Sequence, residues 1–324
     1  MRFAFLDLAR MVAATLVFFY HFYSSASPIF AGSWLMVDFF FVLSGFVLSK
    51  QIQAMSQSVI TINEFISKRA IRIYPALFAF FLASSTLEIL QKGKFDLTSI
   101  SIILGATLLF QVFSPVFLAT NIPLWSLSVE LSVNFLSKFF GRSFQSNLVG
   151  LLLGISLEFF YLGVGERLGF YWVPVLGLGR ALAGFNAGLL AMRLIEGGFV
   201  LSKFACYLSL VGTVCLLCLA GDSKCFSILL LPFFTLLVIG LAASPKNLRL
   251  RRVFSLLGQL SYGFYIWHLP VGNIVDSLVS DRLISLNLGV SVAILIFKLL
   301  FTLLIAAASY FLLEVNLRVI LNRT

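Results

Sequence analysis

His21 and His268 are the only two histidines of the chain, and both lie inside long apolar runs. Histidine is the side chain best suited to shuttle protons near neutral pH. Arg10 precedes His21 by eleven positions. At 100° per residue the two fall within about 20° of one helix face, about 16 Å apart along the axis. Asp7, three residues before Arg10, lies near the same face. An Asp or Arg turned to lipid at mid-helix costs about 2.5–3.5 kcal/mol, so this stripe must face protein or a wet cavity. One reading is a structural Asp7–Arg10 pair with a satisfied core histidine. The other is a working site, and only that reading gives His21 a task. In LSYGFYIWHLPVG, Ser261, Tyr265 and His268 share a face at i, i+4 and i+7; the plain alternative there is an interfacial aromatic cluster.

Glu130, in PLWSLSVE, is a further ionisable group at membrane depth. A carboxylate there needs a partner, and Arg10, His21 and His268 are the candidates. It could orient a histidine as a triad carboxylate does, or neutralise Arg10. Lys68, Arg69 and Arg72, in SKRAIRIYP, form a compact cationic patch. They serve either as membrane-surface anchors or as a clamp for a phosphate-bearing ligand, which arginine grips in a bidentate fashion. In VDFFFVLSGFVLSK, Ser44–Gly45 would let helices approach closely. Asp38 is a structural cap or an acceptor-site carboxylate. The C-x-x-C at Cys215 and Cys218 has no second ligand pair beside it. Buried helix-packing cysteines are expected, and no metal.

These residues are carried on membrane helices. The chain has 324 residues, 60% of them hydrophobic and only 11% charged, against roughly a quarter charged in soluble domains. Apolar segments fall near 4–24, 34–51, 73–91, 99–118, 122–140, 146–162, 171–192, 203–220, 224–243, 253–279 and 286–313. Most match the roughly 20 residues that span a bilayer. The start, MRFAFLDLAR, lacks a basic n-region and cleavage site, so it reads as a true first span. The stretch Thr61–Ile73 is amphipathic and would lie along the cytoplasmic interface, the next helix beginning at Tyr74–Pro75.

If all eleven segments cross from a cytoplasmic N-terminus, 8 loop Lys and Arg lie inside and 12 outside. If 122–140 does not cross fully, 15 lie inside and 5 outside, among the latter Lys92, Lys94 and Arg167. The positive-inside rule favours the second count. The expected fold is therefore an all-α polytopic bundle of about ten spans with both termini cytoplasmic. With Pro123, three serines, Glu130 and Asn134, the 122–140 segment suits a wet or protein-buried path. No repeat and no linker is visible, so residues 1–324 read as a single domain. The formal charge of +10 reports topology and anionic lipid rather than nucleic-acid binding.

Taken together, these motifs resemble acyltransferase family three, integral membrane O-acyltransferases that modify bacterial surface glycans among other acceptors. Arg10 and His21 match the family's R-x10-H. VDFFFVLSGFVLS is similar to its second-span signature. KRAIRIYP resembles R-R-x-x-R-x-x-P, with Lys68 in place of the first arginine. PLWSLSVE fits W-S-L-x-x-E, and SYGFYIWHLP resembles S-Y-x-x-Y-x-x-H-x-P. The five motifs stand in family order over most of the chain.

The resemblance implies a bacterial plasma-membrane enzyme with no tightly bound cofactor. The donor would be acyl-CoA, commonly acetyl-CoA, on the cytoplasmic side. The acceptor would be a hydroxyl of a cell-surface glycan or lipid-linked saccharide. By the same analogy Lys68, Arg69 and Arg72 hold CoA phosphates, and Arg10, His21, Glu130 and His268 belong to the catalytic site. His21 would be general base or transient acyl carrier, and Arg10 oxyanion stabiliser or anchor of the CoA tail. Some members carry an extra extracytoplasmic esterase-like domain. None is expected here, so transfer would be direct or use separate glycan-synthesis proteins. The competing reading is a glycan or lipid transporter, since polar residues at membrane depth also mark transport paths.

Overall fold

The computed structural model describes residues 3–94, 96–140, 143–243, 249–279 and 288–316. Among these there are eleven α-helices and no strand. They are α1 Ala4–Tyr23, α2 Met36–Ser56, α3 Ile62–Lys92, α4 Leu97–Thr107, α5 Leu124–Phe140 and α6 Phe144–Phe160. They continue with α7 Leu178–Glu196, α8 Lys203–Ala220, α9 Phe226–Ala242, α10 Arg251–Leu278 and α11 Leu288–Ser309. Seven helices, some with their flanking turns, are long and apolar enough to cross a membrane. Large apolar side chains such as Leu90, Phe204 and Leu304 point outward, while Gln111, Asn121, Asn134 and His268 are fully enclosed. Such an inverted surface suits a lipid solvent, where polar groups must be satisfied inside the protein.

α2 and α7 are the most enclosed helices and form the centre. They pack backbone to backbone. A Cβ on Gly45 would stand 1.9 Å from the carbonyl oxygen of Phe185, so only glycine permits this approach. α1 lies along α10 with Phe5 against Phe254 and His21 against His268. The numbering rises together in both helices, so α1 and α10 run parallel. α3 runs the same way, with Ile73 beside Tyr262 and Phe80 beside Trp267.

The sequence expectation for the middle of the chain needs two corrections. Segment 99–118 is not a continuous span: α4 stops at Thr107, and Leu109 takes a left-handed φ of 63°. Short 3-10 turns at Phe110–Val112 and Pro115–Leu118 follow. Ser128 donates to the Leu109 carbonyl at 2.6 Å and accepts from the Val112 amide, so a side chain of α5 replaces the lost helical bonds. Segment 122–140, in turn, is a regular helix. It begins deep in the bundle, where Asn121 Nδ2 donates to the Ile266 carbonyl midway along α10. α4 and α5 thus form one interrupted path through the bundle, with irregular backbone buried in protein where it is tolerated.

α3 corrects a third expectation. A capping box between Thr61 and Glu64 starts it at Ile62, and it runs through Pro75 without ending. The cationic patch therefore sits on the first turns of a helix about 46 Å long at 1.5 Å per residue, not on a separate surface helix. At its other end Lys92, with Ser99, draws the Asp96 carboxyl down to about 2, and Asp96 caps α4. The cysteines are a fourth correction. Cys215, Cys218 and Cys225 are exposed rather than packed inside. Cys215 and Cys218 lie on the outer face of α8, where an apolar side chain needs no protein cover. Of the loop cations used for topology, Arg2, Arg142, Lys246, Arg282, Arg318 and Arg323 lie outside the described residues.

Candidate active site

Side chains of α1, α2, α3, α5 and α10 line a partly open cavity. Its polar wall carries Arg10, Arg69, Arg72 and Glu130, with Ser44, Ser126, Tyr262 and Tyr265; Phe40, Phe41 and Leu127 supply apolar wall. Of the residues singled out by sequence, the structure brings these four charges together from three helices. It leaves Lys68 exposed and outside the cavity, and it places His21 and His268 beyond the cavity's lining.

The partner of Glu130 differs from every candidate weighed from the sequence. Its Oε1 is salt-bridged to Arg69 Nη2 and also accepts from Ser44 Oγ at 2.6 Å. Arg69 and Glu130 are both largely buried, so each compensates the other's charge. Glu130 is therefore not oriented toward a histidine, and Arg69 is part of the cavity wall rather than a free surface clamp. Arg10 feels Asp7 and Glu130 as opposite charges and Arg69 as a like one. Its Nε is buried without a hydrogen-bond partner among the described residues. Arg10 and Arg72 also line a second chamber with Asp7, Gln259, Tyr262 and Glu314. α1 can lie this close because α10 has Gly258 where a Cβ would meet Asp7 at 2.6 Å.

His21 and His268 meet on the far side of Tyr265. Their ring centroids are 5.2 Å apart, and the Tyr265 ring, which lines the cavity, is 5.6 Å from that of His268. His268 is fully buried, with Nδ1 2.7 Å from the Tyr265 carbonyl oxygen. A carbonyl only accepts, so Nδ1 carries the proton and Nε2 of the neutral ring is left as the acceptor. Nε2 is buried with no hydrogen-bond partner among the described residues. A base that is held in one tautomer beside a second imidazole can take up a proton passed on by its neighbour. Tyr265 Oη and Ser126 Oγ lie 2.9 Å apart, and both reach the Pro123 carbonyl. That network joins the irregular stretch before α5 to the cavity.

The sequence model of the acyltransferase domain family, acyltransferase family 3, matches residues 3–311. The chain belongs to this family. No curated protein and no solved structure gives a significant match. As a family member the protein is a membrane acyltransferase, and the transporter reading loses its ground. All five motifs that carried the resemblance lie within the matched span.

Four residues are not given their roles by sequence alone. Ser44 had a packing role only, yet it donates to Glu130. Ser126 and Tyr262 lie inside quoted motifs but had no task; both line the cavity. Arg180 is the fourth, and an arginine at membrane depth is the signal that marks it. Its Nε donates to Asp38 Oδ1 at 2.8 Å, and its guanidinium lies over Trp34 and Trp125 at 4.7 and 5.2 Å. Asp38 is thus one half of a buried pair that ties α2 to α7.

Proposed function

We propose that the protein transfers an acyl group, in the first instance acetyl, from acyl-CoA to a hydroxyl of a cell-surface glycan or lipid-linked saccharide. We further propose that α1, α3 and α10 begin on the cytoplasmic side of a bacterial plasma membrane. The interrupted α4–α5 path then counts as one crossing, which makes ten crossings with both termini cytoplasmic. The observation that carries this reading is the arginine-lined cavity reaching up one side of Tyr265, with the His21–His268 pair on the other. A donor approaching from below brings its thioester past Arg72 and Arg10. An acceptor approaching from above meets His21.

In the transfer, the acceptor oxygen attacks the thioester carbonyl carbon while His21 takes the hydroxyl proton. The carbonyl π electrons move onto its oxygen, while Arg10, lower in the cavity, anchors the CoA arm. Collapse expels the CoA thiolate, which takes the proton back from His21, and the products are ester and free CoA. His268 acts as a positioning residue whose ring packs against that of His21, the centroids 5.2 Å apart.

Replacing His21 with Ala should abolish acetyl-dependent CoA release and glycan acetylation while the protein still accumulates in the membrane. Wild-type activity in that variant would sink the proposal. Incubation with acetyl-CoA alone, followed by mass spectrometry of peptides containing residue 21, separates base from carrier. The general base leaves His21 unmodified, whereas a carrier adds one acetyl group there.

A further inference from the structure

Three cavities follow one another along the α1–α10 seam. A cleft lined by Ala4, Asp7, Arg251, Arg252 and Ser255 opens at the start of both helices. Asp7 also lines the next chamber, with Arg10, Arg72 and Tyr262. Those last three residues line the reaction cavity in turn. The route thus passes two exposed arginines at its mouth and two arginines at its neck, against the acidic Asp7 and Glu314.

Arg251 and Arg252 are the first two residues of α10, a helix of 28 residues with no side-chain cap at its start. The positive end of a helix dipole disfavours cations there, so local structure does not call for them. Neither makes an ion pair among the described residues. The uncapped amides of the first turn point the same way as a phosphate-binding helix end. Arg10, at the neck, supplies an independent sign of an anionic ligand in its buried Nε, which has no hydrogen-bond partner among the described residues. Meanwhile Lys68 lines none of these three cavities, and Arg69 is committed to Glu130.

We infer that Arg251 and Arg252 form a subsite for the phosphorylated nucleotide end of the donor, the 3′-phosphate in particular, at the cytoplasmic mouth of this route. The inference rests on the acyl-CoA reading above. It makes α10 a carrier of both ends of the reaction, with the phosphate grip at residues 251 and 252 and the histidine at 268. The same chemistry would also hold an anionic lipid headgroup, so the test must separate a free nucleotide from the leaflet.

The test compares dissociation constants of CoA and 3′-dephospho-CoA for the purified full chain in nanodiscs of neutral phosphatidylcholine. The wild type should bind CoA about tenfold more tightly, the size of one charge-assisted phosphate contact. Arg251→Ala/Arg252→Ala should bring the two constants together while leaving that for 3′-dephospho-CoA unchanged, which also shows that the variant is folded. The single Arg252→Gln change, milder for folding, should close part of the gap. Arg72→Ala should weaken both ligands alike. Equal constants in the wild type, or a preference kept by the double variant, would overturn the subsite. A variant effect confined to phosphatidylglycerol discs makes the pair a lipid anchor and overturns it too. A wild type that binds neither ligand overturns the acyl-CoA reading itself, and the subsite falls with it.

Discussion

Glu130 and Arg69 show how much depends on which charges are paired. Breaking a buried ion pair from one side leaves an uncompensated charge and costs about 3–5 kcal/mol. Glu130→Gln should therefore lower stability by about 3 kcal/mol, since both groups retain slight exposure. It should also admit an extra net positive charge to the cavity. Adding Arg69→Met should restore part of the lost stability, because the pair goes together; melting of the purified single and double variants measures the coupling. A double variant less stable than Glu130→Gln would mean that Arg69 has another partner. At His268 the expectation is different. It lies outside the cavity's lining, so His268→Phe should lower kcat at least tenfold while KM for acetyl-CoA stays within about twofold. A rise in KM with kcat retained would place His268 in donor binding instead. That His21 and His268 face one another follows from the helical spacing of their motifs and the parallel course of α1 and α10. The partner of Glu130 was not legible. Arg69 is 61 positions away, and only the packing of α3 on α5 decides between it and Arg10.

At the scale of elements, spacing and hydropathy carry far where a helix is regular and fail where it is interrupted. α1, α2 and α10 are close to their sequence segments. The run SIILGATLLFQVFSPVFLA is apolar enough to read as a span, and hydropathy does not register that Leu109 turns left-handed. Gln111 and Pro115 were the local signals; the deciding interaction, Ser128 to the Leu109 carbonyl, is tertiary. The Ser44–Gly45 pair was legible because close approach needs only a small residue. Here packing and chemistry are joined, since Gly45 seats α2 on α7 and the neighbouring Ser44 holds Glu130. Gly45→Val should therefore cost about 1–3 kcal/mol by overpacking. Activity should fall further than stability alone would dictate, because the shift of α2 also moves Ser44. Thermal unfolding in detergent beside CoA release reads both. Loss of stability with full specific activity would show that the α2–α7 contact and the cavity are independent.

For the whole molecule, the direction of each helix decides which substrate meets which side chain. α1 and α10 run parallel, so an odd number of crossings must separate them; the eight intervening apolar segments cannot all cross singly. Joining α4 and α5 into one path resolves the parity and gives the charge distribution that the positive-inside rule favours. On the proposed ten-crossing topology with a cytoplasmic N-terminus, α8 would run outward, from Ser202 on the cytoplasmic side to the turn carrying Cys225 on the outer side. Cys225 is exposed, whereas Cys215 and Cys218 lie along the helix, where lipid keeps an aqueous reagent away from them. A membrane-impermeant maleimide applied to intact cells should therefore label the wild type, and Cys225→Ser should remove that label. Placing a cysteine at the other end, as Ser202→Cys in a Cys206→Ser/Cys225→Ser background, should give labelling only after the membrane is opened. Labelling of Ser202→Cys from outside, with Cys225 silent, would invert the protein. The arginine-lined mouth would then face away from cytoplasmic acyl-CoA, so the same experiment tests the direction of transfer as well as the fold.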